Sequence, residues 1–316
     1  MKRLLLIALL IGCPSEAPSP NPTPEPPPVE LPDPSEISLD GGCALDDRHG
    51  RFQLQDLDAY TVLQGQVSDG VVPISVLEEI HAEGDCVLLR RNNPFCDPGC
   101  AADEACDFDG QCVPFPEPQD LGTVAAHGLA AAVSMEPVQP GFNYFSTDLP
   151  HPAMSPGETI RLSTSGGSHD PFALWGVGVE PLVLEPGAWS IDDGTALALQ
   201  WEPPAGPSWS EIGFHLTIDQ HGTSPVVLEC AFDDVGSASI PATTIDALLD
   251  AGVSGWPAAT LSRRTVDSED VGAGCVELMV ASVREGDVAL ADYIPCDADT
   301  PCPEPLTCDL AVGLCQ

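Results

Sequence analysis

The chain has 316 residues and carries 49 Asp and Glu against 10 Lys and Arg, a formal net charge of −39. A field of that sign repels nucleic acid and anionic membrane surfaces, and no basic stripe offers phosphate contacts, so nucleic-acid binding is excluded as a function class. The 13 cysteines and 34 prolines point instead to an exported chain held together by disulfides.

At the N-terminus Lys2 and Arg3 precede an apolar run from Leu4 to Ile11 that ends in Gly12-Cys13. A spanning helix needs about 20 apolar residues, so this short run followed by a small residue reads as a secretory signal over 1–12. Leu10-Ile11-Gly12-Cys13 resembles the bacterial lipobox, which implies cleavage before Cys13 and lipidation of its thiol. Two or more acyl chains suffice for stable anchoring, so the membrane is the first expected partner. Cleavage would remove Lys2 and Arg3, leaving no lysine and eight arginines in the mature chain.

Residues 13–36 then carry a proline at almost every second position. Proline fixes φ and lacks an amide donor, so the stretch builds neither helix nor sheet. It should extend as polyproline II at about 3.1 Å per residue, a tether on the order of 70 Å long.

Beyond the tether the pattern predicts a mainly β chain: a β-sandwich, a smaller β unit, two small disulfide-rich modules and one or two short helices. The small β unit is placed at 37–92 and the first cysteine-rich module at 93–117. The sandwich is placed at 118–292 and the second module at 293–316. Expected strands, bounded by Pro, Gly, Asp and Ser, are Thr61 to Val67, Thr159 to Leu162, Phe172 to Val179, Ala196 to Trp201, Gly213 to Ile218, Val226 to Cys230 and Val276 to Val283. Two helices are expected from a proline at the first turn and a glycine past the end: Pro73 to Gly84, with Val76, Leu77 and Ile80, and Pro241 to Gly252, with Ile245, Leu248 and Leu249. Cys43-Ala-Leu-Asp-Asp echoes Cys230-Ala-Phe-Asp-Asp, and Cys86-Val-Leu-Leu echoes Cys275-Val-Glu-Leu, which leaves an internal duplication open.

Without Cys13, twelve cysteines remain, an even number as a full disulfide set requires. Four lie in the cluster Cys96, Cys100, Cys106 and Cys112, and four in Cys296, Cys302, Cys308 and Cys315. Segments this short hold shape only with disulfides or a metal. Zinc is the rival, but neither cluster has close ligand pairs on both sides, so no metal is assigned. First-to-third and second-to-fourth pairing is expected in each cluster, leaving Cys43 with Cys86 and Cys230 with Cys275. Asp107-x-Asp109-Gly110 and Asp297-x-Asp299 could suit calcium, yet neither extends into a full acidic loop, and polar turns explain both.

Catalytic patterns are weak. His81-Ala-Glu83 followed by Cys96 and Cys100 faintly echoes the zinc deaminase signature, but the spacing is wrong and the cysteines are expected to be oxidised. Ser168-His169-Asp170 has the residue types of a hydrolase triad, whose members come from separated positions rather than neighbours; a surface turn is expected. Of the five tryptophans, Trp175, Trp189, Trp201, Trp209 and Trp256, most are expected in the core. Trp189 and Trp209 sit among Gly, Pro and Ser and could instead form a platform for a sugar or peptide. Arg263-Arg264 is expected to form internal ion pairs.

The lipobox, the tether and the module Cys-Asp-Pro-Gly-Cys-Ala-Ala-Asp-Glu-Ala-Cys-Asp-Phe-Asp-Gly-Gln-Cys at 96–112 together resemble exported lipoproteins of uncharacterised function from myxobacteria and related predatory bacteria. That resemblance brings no catalytic residues and no cofactor. The expectation is a non-enzymatic lipoprotein of the bacterial cell envelope, anchored in the outer membrane, whose modules bind or scaffold an extracellular protein or glycan. A secreted glycosidase-like hydrolase on a sandwich fold and a purely structural envelope protein are the alternatives.

Overall fold

The structure, a computed structural model, describes residues 29–91, 95–107, 109–185, 187–218, 226–252, 257–291, 293–310 and 313–316. The signal segment, Cys13, most of the tether and Trp256 lie outside the described residues. Four strands come first: β1 (Arg48–Asp56), β2 (Thr61–Val67), β3 (Leu77–Glu83) and β4 (Cys86–Arg91). The first cysteine-rich module holds β5 (Glu104–Cys106) and β6 (Cys112–Pro114). Then follow β7 (Val124–His127), β8 (Val133–Met135), β9 (Tyr144–Ser146), β10 (Thr159–Thr164), β11 (Ala173–Val177), β12 (Trp189–Ile191), β13 (Leu197–Gln200) and β14 (Glu211–Thr217). After β15 (Val226–Asp233) and β16 (Ser237–Ile240) comes α1 (Ala242–Asp250), then β17 (Ala258–Asp270), β18 (Cys275–Gly286) and β19 (Val288–Leu290). The second module closes on β20 (Cys308–Asp309) and β21 (Leu314–Cys315).

The fold is mainly β and sandwich-like. Nine strands form one sheet in the order β3-β4-β15-β14-β17-β18-β1-β2-β9. Its centre is the long hairpin β17–β18, and β1 lies parallel to β18 from Arg48 against Cys275 to Asp56 against Ser282. β4 pairs antiparallel with β15. These two pairings overturn the division into a small β unit at 37–92 and a sandwich at 118–292, because strands from both segments interleave in a single sheet. Residues 31–316 accordingly form one compact unit.

One face of this sheet is covered. Over β1 and β18 lies a four-stranded sheet, β11-β10-β7-β8, whose Val124, Leu162 and Leu174 pack on Phe52, Leu54, Leu278 and Val280. Over β14, β15 and β4 lie α1 and the two-stranded ribbons β12–β19 and β13–β16, through Ile245, Leu248, Trp201 and Ile191. Alternation fixes which residues enter this core: in β1, Phe52, Leu54 and Asp56 are buried while Arg51, Gln53 and Gln55 face the other way. Gly65 of β2 stands opposite Phe52, and a Cβ there would sit 2.1 Å from the ring. The ring of Phe52 therefore fits only against a glycine.

The helix expected from Pro73 to Gly84 is absent. Pro73–Ser75 makes one 3-10 turn and Leu77–Glu83 is a strand. Gly84, at φ +60°, turns the β3–β4 hairpin that sets Glu83 against Cys86. A positive-φ glycine serves a helix end and a tight hairpin alike, so the same residue carried two readings, and pairing with β4 decides for the strand. The second helix forms as expected from Ala242 to Asp250, behind Pro241.

All twelve predicted cysteines are in disulfides, and each module has the expected pairing: Cys96–Cys106 with Cys100–Cys112, and Cys296–Cys308 with Cys302–Cys315. The other two pairs are crossed relative to expectation, Cys43–Cys275 and Cys86–Cys230. Sheet order is the cause. β4 lies beside β15, which sets Cys86 opposite Cys230, and the parallel β1–β18 contact brings the approach to β1 beside Cys275. Each bridge joins the first marker of one echo to the second marker of the other. Both second markers open the return strand of a hairpin, but only the later half contains a helix between its markers.

Candidate functional site

The uncovered face of the nine-stranded sheet forms a groove. Register brings its residues into rows: Arg51, Gln53 and Gln55 on β1 stand against Gln66, Gln64 and Val62 on β2, and against Glu277, Met279 and Ala281 on β18. Arg264, Ser262 and Thr260 of β17 come next, beside Glu211, Gly213 and His215 of β14, with Glu229 of β15 opposite His215. Met279 and Val283 line the floor, and with fully buried Ala281 they form a small apolar cluster that packs with Leu57 and Val266. A cleft of about 420 Å³ lies between Arg51, Gln53, Gln55, Arg264, His215 and Glu229. An adjoining one of about 370 Å³ shares Arg51 and Gln53 and ends at Phe145, which is 55% exposed on the edge strand β9.

The charged groups of the groove contact one another. Buried Glu277 receives both Arg51 and Arg48, the latter at 3.3 Å, and its second oxygen accepts the Cys43 amide at 2.9 Å. Arg264 donates to Glu211 at 2.9 Å, and a ring nitrogen of His215 is 3.5 Å from the Glu229 carboxylate. The His215 contact, helped by the fields of Arg264 and Arg51, holds the Glu229 carboxyl below its ordinary range despite partial burial. Burial, with repulsion from Arg51, pushes the Arg48 guanidinium down. Between these pairs stand neutral amides: Gln64 lies 3.5 Å from Gln53, and Gln66 donates to the Gly141 carbonyl at 2.7 Å.

The expected tryptophan platform does not form. Trp189 is 9% exposed and packs edge-on against Phe214 at 5.3 Å. Parallel pairing of β12 with β19 sets it over Gly286, where a Cβ would meet its ring at 2.4 Å. Trp209 alone stays 47% exposed, on a cleft of about 200 Å³ beside Pro156, Gly157 and Pro207. Trp201 is core and its indole donates to Asp234 at 2.8 Å. Trp175 is half-buried under the Arg161 guanidinium.

Arg263 and Arg264 form ion pairs as the sequence suggests, on opposite faces. Arg263 is 1% exposed, donates to both oxygens of Asp234 at 2.6 and 3.1 Å, and reaches the carbonyls of Glu180, Pro181 and Glu202. It belongs to the core.

The weak catalytic patterns resolve into structural contacts. His81 and Glu83 lie on β3 instead of a helix end, and Glu83 accepts from the Thr243 and Thr244 hydroxyls at the start of α1. Ser168-His169-Asp170 is a bend whose Ser168 amide donates to the Asp120 carbonyl. Sequence reasoning missed a third grouping: the Thr61 hydroxyl donates to buried Asp56 and lies 3.1 Å from Nδ1 of His151. The single hydroxyl proton goes to the carboxylate, so the imidazole can only donate to the threonine oxygen. A nucleophile needs the reverse order, with the base on the hydroxyl and the acid behind the base.

Asp107 and Asp297 act within turns. Asp107 accepts the amides of Asp109 and Gln111 at 3.0 and 2.7 Å; Asp297 accepts those of Asp299 and Thr300 at 2.8 and 2.6 Å. The sulfurs of Cys96, Cys100 and Cys112 lie within 4.8 Å of one another, as do those of Cys296, Cys302 and Cys315. All six are in S–S bonds, which leaves no thiolate for a metal. Beside the first module, Val72, Ile74, Phe95 and Phe115 line an apolar cleft of about 470 Å³.

No family model and no curated protein matches the chain. Among solved structures, the crystal structure of chicken CNTN1 FN1-FN3 domains is 8% identical, over 70% of this chain and 69% of that one, with a TM-score of 0.18. Superposition at that level says nothing about a shared site.

Proposed function

We propose that this chain is a lipoprotein of the bacterial cell envelope, anchored in the outer membrane through Cys13, that displays a non-catalytic binding surface for an extracellular ligand. The observation that carries this reading is the groove on the open face of the nine-stranded sheet. Its carboxylates Glu211, Glu229 and Glu277 each hold a cation or imidazole, so they are committed to positioning donors instead of to proton transfer. The apolar floor and the rows of amides suit recognition. Six disulfides suit a rigid body outside the cytosol, and the proline-rich stretch of the sequence suits a spacer.

The test uses the full chain expressed in a bacterial host. Intact mass of the membrane-extracted protein should give a chain beginning at an acylated Cys13. Cells displaying it should adhere to a surface coated with peptidoglycan, with neutral polysaccharide or with gelatin, and the double variant Gln53→Ala, Gln64→Ala should reduce that adhesion. A chain retaining residues 1–12 without acylation would contradict the anchor. Equal adhesion by wild type and variant on all three surfaces would contradict the binding role of the groove.

A further inference from the structure

We propose that the groove takes a neutral, linear polysaccharide; this rests on the binding reading above and names the ligand class for that site. Charge is the first argument. Arg48 and Arg51 share Glu277, Arg264 pairs with Glu211, and Glu229 stands beside His215, so three guanidinia face three carboxylates on these strands. No net cation is left to draw a phosphate or a uronate, and the whole chain, at −39, repels polyanions.

What the groove offers is hydrogen bonding without net charge. Gln53, Gln55, Gln64 and Gln66 present amides that donate and accept, and the guanidinia retain donors beyond those used on their carboxylates. Hydroxyl groups, each a donor and an acceptor, match such a set. At the floor Met279 and Val283, each 9% exposed, offer apolar edges to the C–H face of a sugar ring, and exposed Phe145 at the end supplies an aromatic surface for one more ring.

Shape favours a chain over a single sugar. The two clefts join at Arg51 and Gln53, and the path from β9 to β15 crosses six strand intervals, on the order of 29 Å at about 4.8 Å each. An extended peptide would gain little on this surface, because the backbone groups of central strands are already paired and only the edges β3 and β9 could add a strand.

The test is native affinity electrophoresis of the full chain in gels containing barley β-glucan, galactomannan, xyloglucan, polygalacturonate or gelatin. At least one neutral polysaccharide should retard the wild type. The double variant Gln53→Ala, Gln64→Ala and the single variant Phe145→Ser should weaken that retardation at least tenfold, and Trp209→Ala, outside the groove, should leave it unchanged. Retardation by polygalacturonate alone or by gelatin alone, lost in the groove variants, would overturn the neutral-glycan assignment while the groove stayed a binding site. Retardation unchanged in the groove variants, or none in any gel, would overturn it as well. Phe145 is exposed on an edge strand, so its variant keeps the test valid if the double variant misfolds.

Discussion

Arg263 and Arg264 are neighbours in sequence and opposites in environment. Arg263 points into the covered face, is 1% exposed, and spends its donors on Asp234 and three backbone carbonyls. Arg264 points into the groove and makes one ion pair with half-exposed Glu211. Alternation along β17 assigns the two side chains to different faces, and the covering layer on one face does the rest. The same residue type is a fold-determining tie on one side and an available hydrogen-bonding group on the other.

Five substitutions sharpen this contrast. Removing Arg263 leaves the buried Asp234 carboxylate without its countercharge, so Arg263→Ala should cost about 3–5 kcal/mol in urea unfolding. Leu278, on the covered face of β18, should cost about 2–5 kcal/mol as Leu278→Ala. Its neighbour Met279→Ala, on the groove floor, should cost less, because the groove can admit water where the core leaves a void. Arg264→Ala should fall within about 1 kcal/mol of wild type, as exposed pairs do. The smallest effect concerns pH. Glu229 is held below its ordinary value of 4.5 chiefly by His215, so its folded value lies under its unfolded one. Its contribution is present above the unfolded value and is lost as pH falls through the folded one. Glu229→Gln should therefore leave a thermal scan at pH about 3 closer to wild type than one at neutral pH.

The contrast also explains what could be read from the sequence. Thr61–Val67 was legible because its composition and flanking turn residues favour a strand on their own. α1 was legible because Pro241 and Gly252 bound an apolar stripe. Close cysteine spacing confines the pairing to each module, although spacing alone leaves three connectivities open for four cysteines. The bridges Cys43–Cys275 and Cys86–Cys230 span 232 and 144 residues, and only the order of strands in the large sheet determines them. For the same reason the groove was invisible. Arg51, Arg264, His215 and Glu229 carry no local motif and meet only because β1, β18, β17, β14 and β15 lie side by side. Trp189 looked like a loop residue, since nothing nearby in sequence announces that β12 pairs with β19 beneath it. Gly84 misled because a hairpin and a helix end make the same demand on φ.

The most direct test of this division between the two faces is a paired measurement on Arg264→Ala, its urea unfolding midpoint and its retardation by the neutral polysaccharide that retards wild type. Stability within about 1 kcal/mol of wild type, with retardation weakened at least tenfold, is the predicted result. Stability lost to the extent expected for Arg263→Ala, with retardation unchanged, would contradict the account.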